Sequence, residues 1–133
     1  MAAFSDYAEQ KILETLLNNA AFPTISSTWV SLHTAATTDA GGGTEVSGVS
    51  YARVDCGAFT SMTAITDGQT ENSAEIAFAQ AGAGGWGLVT HVALWDASTA
   101  GNMLLHGILT ASKQIDENDT FKFAIGDLVI TVD

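Results

Sequence analysis

The sequence predicts a mainly β fold: an antiparallel β-sandwich carrying one N-terminal α-helix. Three observations predict it. From Trp86 onward, apolar runs of strand length alternate with short punctuation such as Asp96-Ala97-Ser98, Gly101-Asn102 and Gly126-Asp127, the pattern of strands joined by turns. Only residues 5–20 repeat apolar side chains at helical spacing. A chain of 133 residues that is 47% hydrophobic suits one domain, 1–133, able to bury roughly two-thirds of its unfolded surface.

The helix comes first. Ala8, Ile12, Leu16 and Ala20, with Leu13 and Leu17 beside them, form one apolar stripe. Ser5 or Asp6 can cap its start, and Asp6 with Glu9 has capping-box spacing. Asn18-Asn19 and Pro23 should end it, because proline cannot donate the next backbone hydrogen bond. Such a stripe is expected to lie across a sheet, or one end of the sandwich, or to dock on a neighbouring copy.

The sandwich should occupy about 28–133. Thr28 to Thr34 is β-branched and aromatic, hence a strand. Ala35 to Ser50 holds Gly41-Gly42-Gly43 and reads as a long loop. The entropy of fixing such glycines, roughly 1–2 kcal/mol per residue, suggests that this loop orders chiefly against another chain. Tyr51 to Cys56 is the next strand, Phe59 to Ser73 an irregular excursion, and Glu75 to Ala79 a weak alternation. Leu88 to Trp95 is apolar on both parities, as in a central strand covered on both sides, and Met103 to Thr110 returns beside it. Thr120–Ala124 and Leu128–Val132 alternate around Gly126-Asp127, predicting a terminal hairpin that buries Phe121, Phe123, Leu128 and Ile130. The count is six or seven strands.

Charge excludes several functions. Fifteen acids face four bases (Lys11, Arg53, Lys113, Lys122), a net −11. Nucleic acid and anionic membrane surfaces need clustered Lys and Arg, so neither is an expected partner. Cys56 is the sole cysteine and has no disulfide partner in the chain. No apolar run nears the ~20 residues of a membrane span. Asp6 and Glu9 stand where a signal peptide needs a basic flank and an apolar core, so none is expected.

The order and spacing of several segments carry a family likeness. Asp39-Ala40-Gly41-Gly42-Gly43-Thr44-Glu45-Val46-Ser47-Gly48 and Ser50-Tyr51-Ala52-Arg53 resemble the hallmark segment of small tailed-phage virion proteins usually labelled tail-fibre-like. Trp86-Gly87-Leu88-Val89-Thr90-His91, Trp95-Asp96-Ala97, His106-Gly107 and Asp119-Thr120-Phe121 are similar too, so the likeness covers the whole chain. It implies a virion structural protein, made in the host cytoplasm. The chain has no shaft repeats and no length for a fibre shaft. The preferred expectation is therefore a capsid decoration or cement protein bound to the major capsid protein and to copies of itself. The alternative is a tail-fibre or tail-tip domain that contacts other tail proteins or a host receptor.

No residue set points to catalysis. His33, His91 and His106 fall on three predicted strands, but without the close spacing that marks zinc ligands. Cys56 lacks a flanking signature, and no Gly-x-Ser-x-Gly elbow is present. Asp116-Glu117-Asn118-Asp119 lacks the turn glycine and closing glutamate of a calcium loop. Catalytic residues, metal sites and cofactors are all expected to be absent. Trp29 and Trp95 read as core. The residues expected to touch other subunits are Gly41, Gly42, Gly43, Glu45, Arg53 and the glycine-flanked Trp86. Arg53, the only arginine, should pair with Glu45 or with an acid on a neighbour.

Overall fold

The structure, a computed structural model, describes residues 2–60 and 68–132. The chain opens with a three-residue strand, β1 (Ala2–Phe4), too short to show any period in the sequence. Helix α1 (Asp6–Asn18) follows, and Ser5 caps it. The Ser5 hydroxyl accepts from the Ala8 N–H and donates to the Met103 carbonyl, which fastens the helix start to the sheet. The helix stops before Ala20 because Asn19 turns left-handed (φ 54°), a conformation Asn tolerates at helix ends. Pro23 is not its terminator. The expected docking of the apolar stripe on the sandwich is not seen: of the helix only Ala8 is buried, while Leu13, Leu16 and Leu17 are 55%, 73% and 75% exposed.

The remaining strands are β2 (Trp29–His33), β3 (Val54–Asp55), β4 (Gln69–Glu71), β5 (Ile76–Ala77), β6 (Gly87–Trp95), β7 (Met103–Ile115), β8 (Lys122–Phe123) and β9 (Val129–Thr131). Residues 61–67 of the Phe59–Ser73 excursion lie outside the described residues. One antiparallel sheet runs β1-β7-β6-β2-β3. Strand β6 is central as its two-sided apolarity predicts, and pairs β7 in a hairpin with Leu94 opposite Leu105. Strand β7 runs five residues past the expected Thr110, with a register shift between its Ile108 and Lys113 pairs.

The terminal hairpin is the main correction. Strand β8 pairs with β5, and β9 pairs with β4, so the two halves part into separate two-stranded ribbons. Asn72, fully buried, explains the parting. Its side chain accepts from the Leu128 N–H at 2.9 Å and donates to the Ala124 carbonyl at 2.9 Å. Those are groups that a hairpin would pair with each other. The turn itself survives, with the Asp127 N–H on the Ala124 carbonyl and Gly126 at φ 81°.

The predicted burial holds even though the pairing does not. Phe121, Phe123, Leu128 and Ile130 enter one cluster with Val30, Leu32, Leu94, Ile76, Phe78 and Trp86. This cluster lies between one face of the five-stranded sheet and the ribbons. Each such side chain contributes roughly 1.5–3 kcal/mol of burial. The opposite face of the sheet carries Trp29, Ala93, Trp95 and Met103, and residues 37–41 and Arg53 close over part of it.

Candidate functional site

The face of the sheet that carries Trp95 holds most of the residues singled out from the sequence. Arg53 is their hub. Its Nε and one terminal nitrogen grip Glu45 at 2.9 and 2.8 Å, and the other nitrogen donates to the carbonyls of Ala97 and Ala100. The guanidinium lies 3.8 Å from the centre of the Trp95 ring, a cation–π stack. The Tyr51 hydroxyl donates to Glu45 at 3.0 Å and accepts from the Leu32 N–H. One side chain therefore ties the 35–50 loop, the 96–102 turn and the central strand together.

Electrostatics follow from that geometry. Burial pushes the Glu45 carboxyl up, but the Arg53 hydrogen bonds and charge and the Tyr51 hydroxyl outweigh it and hold it below the ordinary carboxylate value. Burial, with the Glu45 charge, raises the Tyr51 phenol above its ordinary range. The Cys56 thiol is pushed up to about 11 by burial, opposed by a hydrogen bond to Thr28. A thiol held protonated in this way is a poor nucleophile.

The loop is fastened from within. Thr34 donates to the Thr44 carbonyl, Val46 to the Leu32 carbonyl, and Glu45 bridges His33 in antiparallel register. Gly41 (φ 85°) and Gly43 (φ 105°) adopt conformations that side chains resist, and the Gly41 and Gly42 amides both bond Thr38. A Cβ on Gly42 or Gly43 would press into Thr38 or against the Ala36 carbonyl and Thr37. The expectation that another chain orders this loop is thus replaced by intrachain bonds that offset the glycine entropy. Gly41 and Gly43 remain on the surface, while Glu45 and Arg53 spend their charges on each other.

Trp86 is likewise relocated. It is 6% exposed and belongs to the core, so its side chain offers no surface to a partner. Its ring meets Tyr51 edge-on at 5.4 Å, and its indole N–H donates to the Val49 carbonyl. Gly48 packs so closely that an added Cβ would lie 2.4 Å from the indole. Of the glycines flanking Trp86, Gly85 marks close packing on the Ile115 carbonyl, while Gly84 and Gly87 supply positive φ, where the sequence suggested exposure of the tryptophan.

The three histidines do lie on neighbouring strands, with His33 opposite His91 and His106 opposite Ala93. Each ring has partners of its own, although His33 Nδ1 is buried without one. His33 Nε2 bonds Ser31 Oγ at 2.8 Å, His91 Nδ1 bonds Thr90 Oγ1, and His106 bonds Thr37 Oγ1 at 2.7 Å and Asp39 Oδ1 at 2.8 Å. Among the described residues no group of His, Cys, Asp and Glu is placed to hold a metal ion. Thr37–His106–Asp39 imitates a nucleophile, base and orienter. The nearby Gly41 and Gly42 amides are already spent on Thr38, so they do not form a donor pair for an oxyanion. The trio instead clasps the loop to β7. No spacing in the sequence announces it, because its members are joined only by the fold. The Ser31 hydroxyl also accepts from the Trp95 indole at 2.7 Å, a second link between strands without a local signal.

Among the apolar side chains that face outward, which include Ile108 and Ile125, those of the helix and the residues just after it stand closest together in the sequence. Leu13, Leu16, Leu17 and, after the αL turn, Phe22 are large exposed apolar side chains. An arrangement of this kind suits contact with another surface. No curated protein matches the chain. A family profile, however, covers nearly the whole fold, from β1 to the end of β9: at residues 3–131 the chain matches, and therefore belongs to, the phage virion structural family described as podophage GP4 fiber I protein gp80.

Proposed function

We propose that the protein is a non-enzymatic structural subunit of the virion's tail-fibre apparatus, held there by protein–protein contacts with tail proteins and copies of itself. The observation that carries this reading is the extent of the family match, residues 3–131 of a fibre family, which takes in the sheet, both ribbons and the helix. The geometry supports it in a second way. The polar groups that sequence inspection offered for chemistry or for subunit contact are consumed inside the chain, while the apolar helix stripe is not. The preference for head decoration rested on the missing shaft and on an acidic, compact, cysteine-poor chain. It gives way to the tail because a compact acidic subunit can equally attach to a fibre without forming its shaft.

Phage lacking the protein test the proposal directly. Such particles should package and retain DNA on heating like wild type yet adsorb poorly to host cells, and antibody against the protein should decorate tails. Band intensity near that of the major capsid protein, with heads that leak DNA at lower temperature, would assign the protein to the capsid instead.

A further inference from the structure

The uncovered face of α1 is a built surface, and its chemistry says what covers it. Leu13, Leu16 and Leu17 sit at helical spacings of three and four, 55%, 73% and 75% exposed, and Ala20, Ala21 and Phe22 continue the apolar character beyond the αL turn. Neighbours at these spacings form one ridge on a helix surface. A ridge of this kind packs into the grooves of another helix. The start of α1 is tied down through Ser5, Asp6 and Ala8, and Ile12 and Thr15, beside the ridge, are part-buried.

Charge selects the partner. The chain carries fifteen acids and four bases. Three of the four bases are neutralised internally, in the Lys11–Glu14, Arg53–Glu45 and Lys122–Glu75 pairs. Two copies therefore repel almost anywhere they approach. Yet from Thr15 to Thr38 the sequence has no Asp, Glu, Lys or Arg, and the exposed end of the helix lies in that stretch. A basic partner would be met by acids around the apolar patch, as complementary interfaces are. A like-charged copy needs the patch free of them.

We infer that the C-terminal half of α1, centred on Leu16 and Leu17, is a self-association surface whose occupant is the same helix of a second copy. Asp6 and Glu9 fall on the same helix face one to three turns before the leucines, by the helical repeat. A parallel pairing would stack these acids on each other. The two helices therefore cross through their C-terminal halves, leaving the acids at opposite ends. The inference stands whether the protein resides on the fibre or on the head.

Sedimentation of the purified full chain tests it. Wild type at roughly 100 µM should run as a dimer or larger, and dilution should dissociate it. Raising salt to about 0.5 M should tighten the association by screening the like charges, where an interface made of ion pairs would loosen. Leu16→Glu should yield a monomer whose melting curve in dilute solution matches wild type, and Ile125→Glu, at a similarly exposed apolar site outside the helix, should leave the oligomer intact. If Leu16→Glu fails to fold, Leu17→Gln reads the same surface and should weaken association at least about tenfold. A wild-type monomer at the highest concentration, or an oligomer that survives both substitutions, overturns the inference. So does a monomer whose Leu16→Glu variant is lost from virions, since the face would then belong to a different virion protein.

Discussion

The 35–50 loop and helix α1 exchange the roles their sequences suggest. The loop, with three glycines in a row, has the composition of a segment that waits for a partner, yet it is closed onto its own sheet by Arg53, by His106 and by the two backbone bonds that flank the His33–Glu45 bridge. The helix, regular and amphipathic, has the composition of a core element, yet its stripe faces outward. Order therefore does not track composition. It tracks whether a fixed donor or acceptor elsewhere in the chain meets the segment, and glycine helps by letting the backbone come close enough.

The sharpest way to break this comparison is to unfasten the loop. Arg53→Ala leaves Glu45 half-buried without its counter-charge and uncovers Trp95. Removing one partner of a buried pair is costly, and allowing for partial exposure of Glu45 the loss should be about 2–4 kcal/mol. Lys113→Ala, at the one base among the described residues without a carboxylate partner, should cost far less. Denaturant titration of both variants decides it. Equal losses would mean the loop is not held by Arg53.

A neutral fastener sharpens the point. Asn72→Ala strands the Leu128 N–H in the core, while the Ala124 carbonyl keeps its bond from the Asp127 N–H, and an unmet buried group costs roughly 1–3 kcal/mol. We expect a fall of about 1–3 kcal/mol by the same reasoning, with weakened hydrogen-exchange protection at Leu128. Unchanged protection there would show that the ribbons part for another reason.

Acid should loosen the loop face before it touches the helix. Burial, partly opposed by Glu45, holds His33 below its ordinary 6.5, with the charges of Arg53, His91 and His106 acting in the same sense as burial. The unfolded chain then takes up a proton that the fold refuses. Stability from this source is complete above pH 6.5 and is lost as pH falls toward the folded value. Glu45, held below its ordinary 4.5, contributes stability above that pH and loses it below. Melting temperature against pH should be flat above neutrality and decline in two stages. His33→Gln should remove the first stage alone; a first stage that persists in the variant points to another group.

These contrasts also mark how much of the molecule was legible. The central β6–β7 hairpin, the capped helix and the burial of Phe121, Phe123, Leu128 and Ile130 follow from periodicity and turn chemistry, which are local. The pairing of β8 and β9 was not legible, because alternation fixes which face is buried and not which strand lies alongside. Asn72 decides it from more than fifty residues away. The Thr37–His106–Asp39 clasp escaped for the same reason. The Arg53–Glu45 pair was foreseeable in part, since a lone arginine beside an acid-bearing loop has few other partners, but the Trp95 stack beneath it needed the sheet register. Exposure of α1 was the reverse case: a stripe is visible in sequence, and what covers it is not.

The smallest expected effect tests that last point most directly. A leucine that supports a core loses about 2–5 kcal/mol on truncation to alanine, as Leu32→Ala should here, since Leu32 is fully buried. Leu16, 73% exposed, has little apolar contact within its own chain to lose. Alanine also has the higher helix propensity, which offsets part of what remains. In dilute solution Leu16→Ala should therefore shift stability by no more than about 0.5 kcal/mol, the range of surface substitutions. If self-association contributes, the same change should lower the melting temperature only at high protein concentration, because mass action stabilises the associated fold alone. A full core-sized loss in dilute protein would mean that α1 packs on its own chain in solution, and the contrast between helix and loop would collapse.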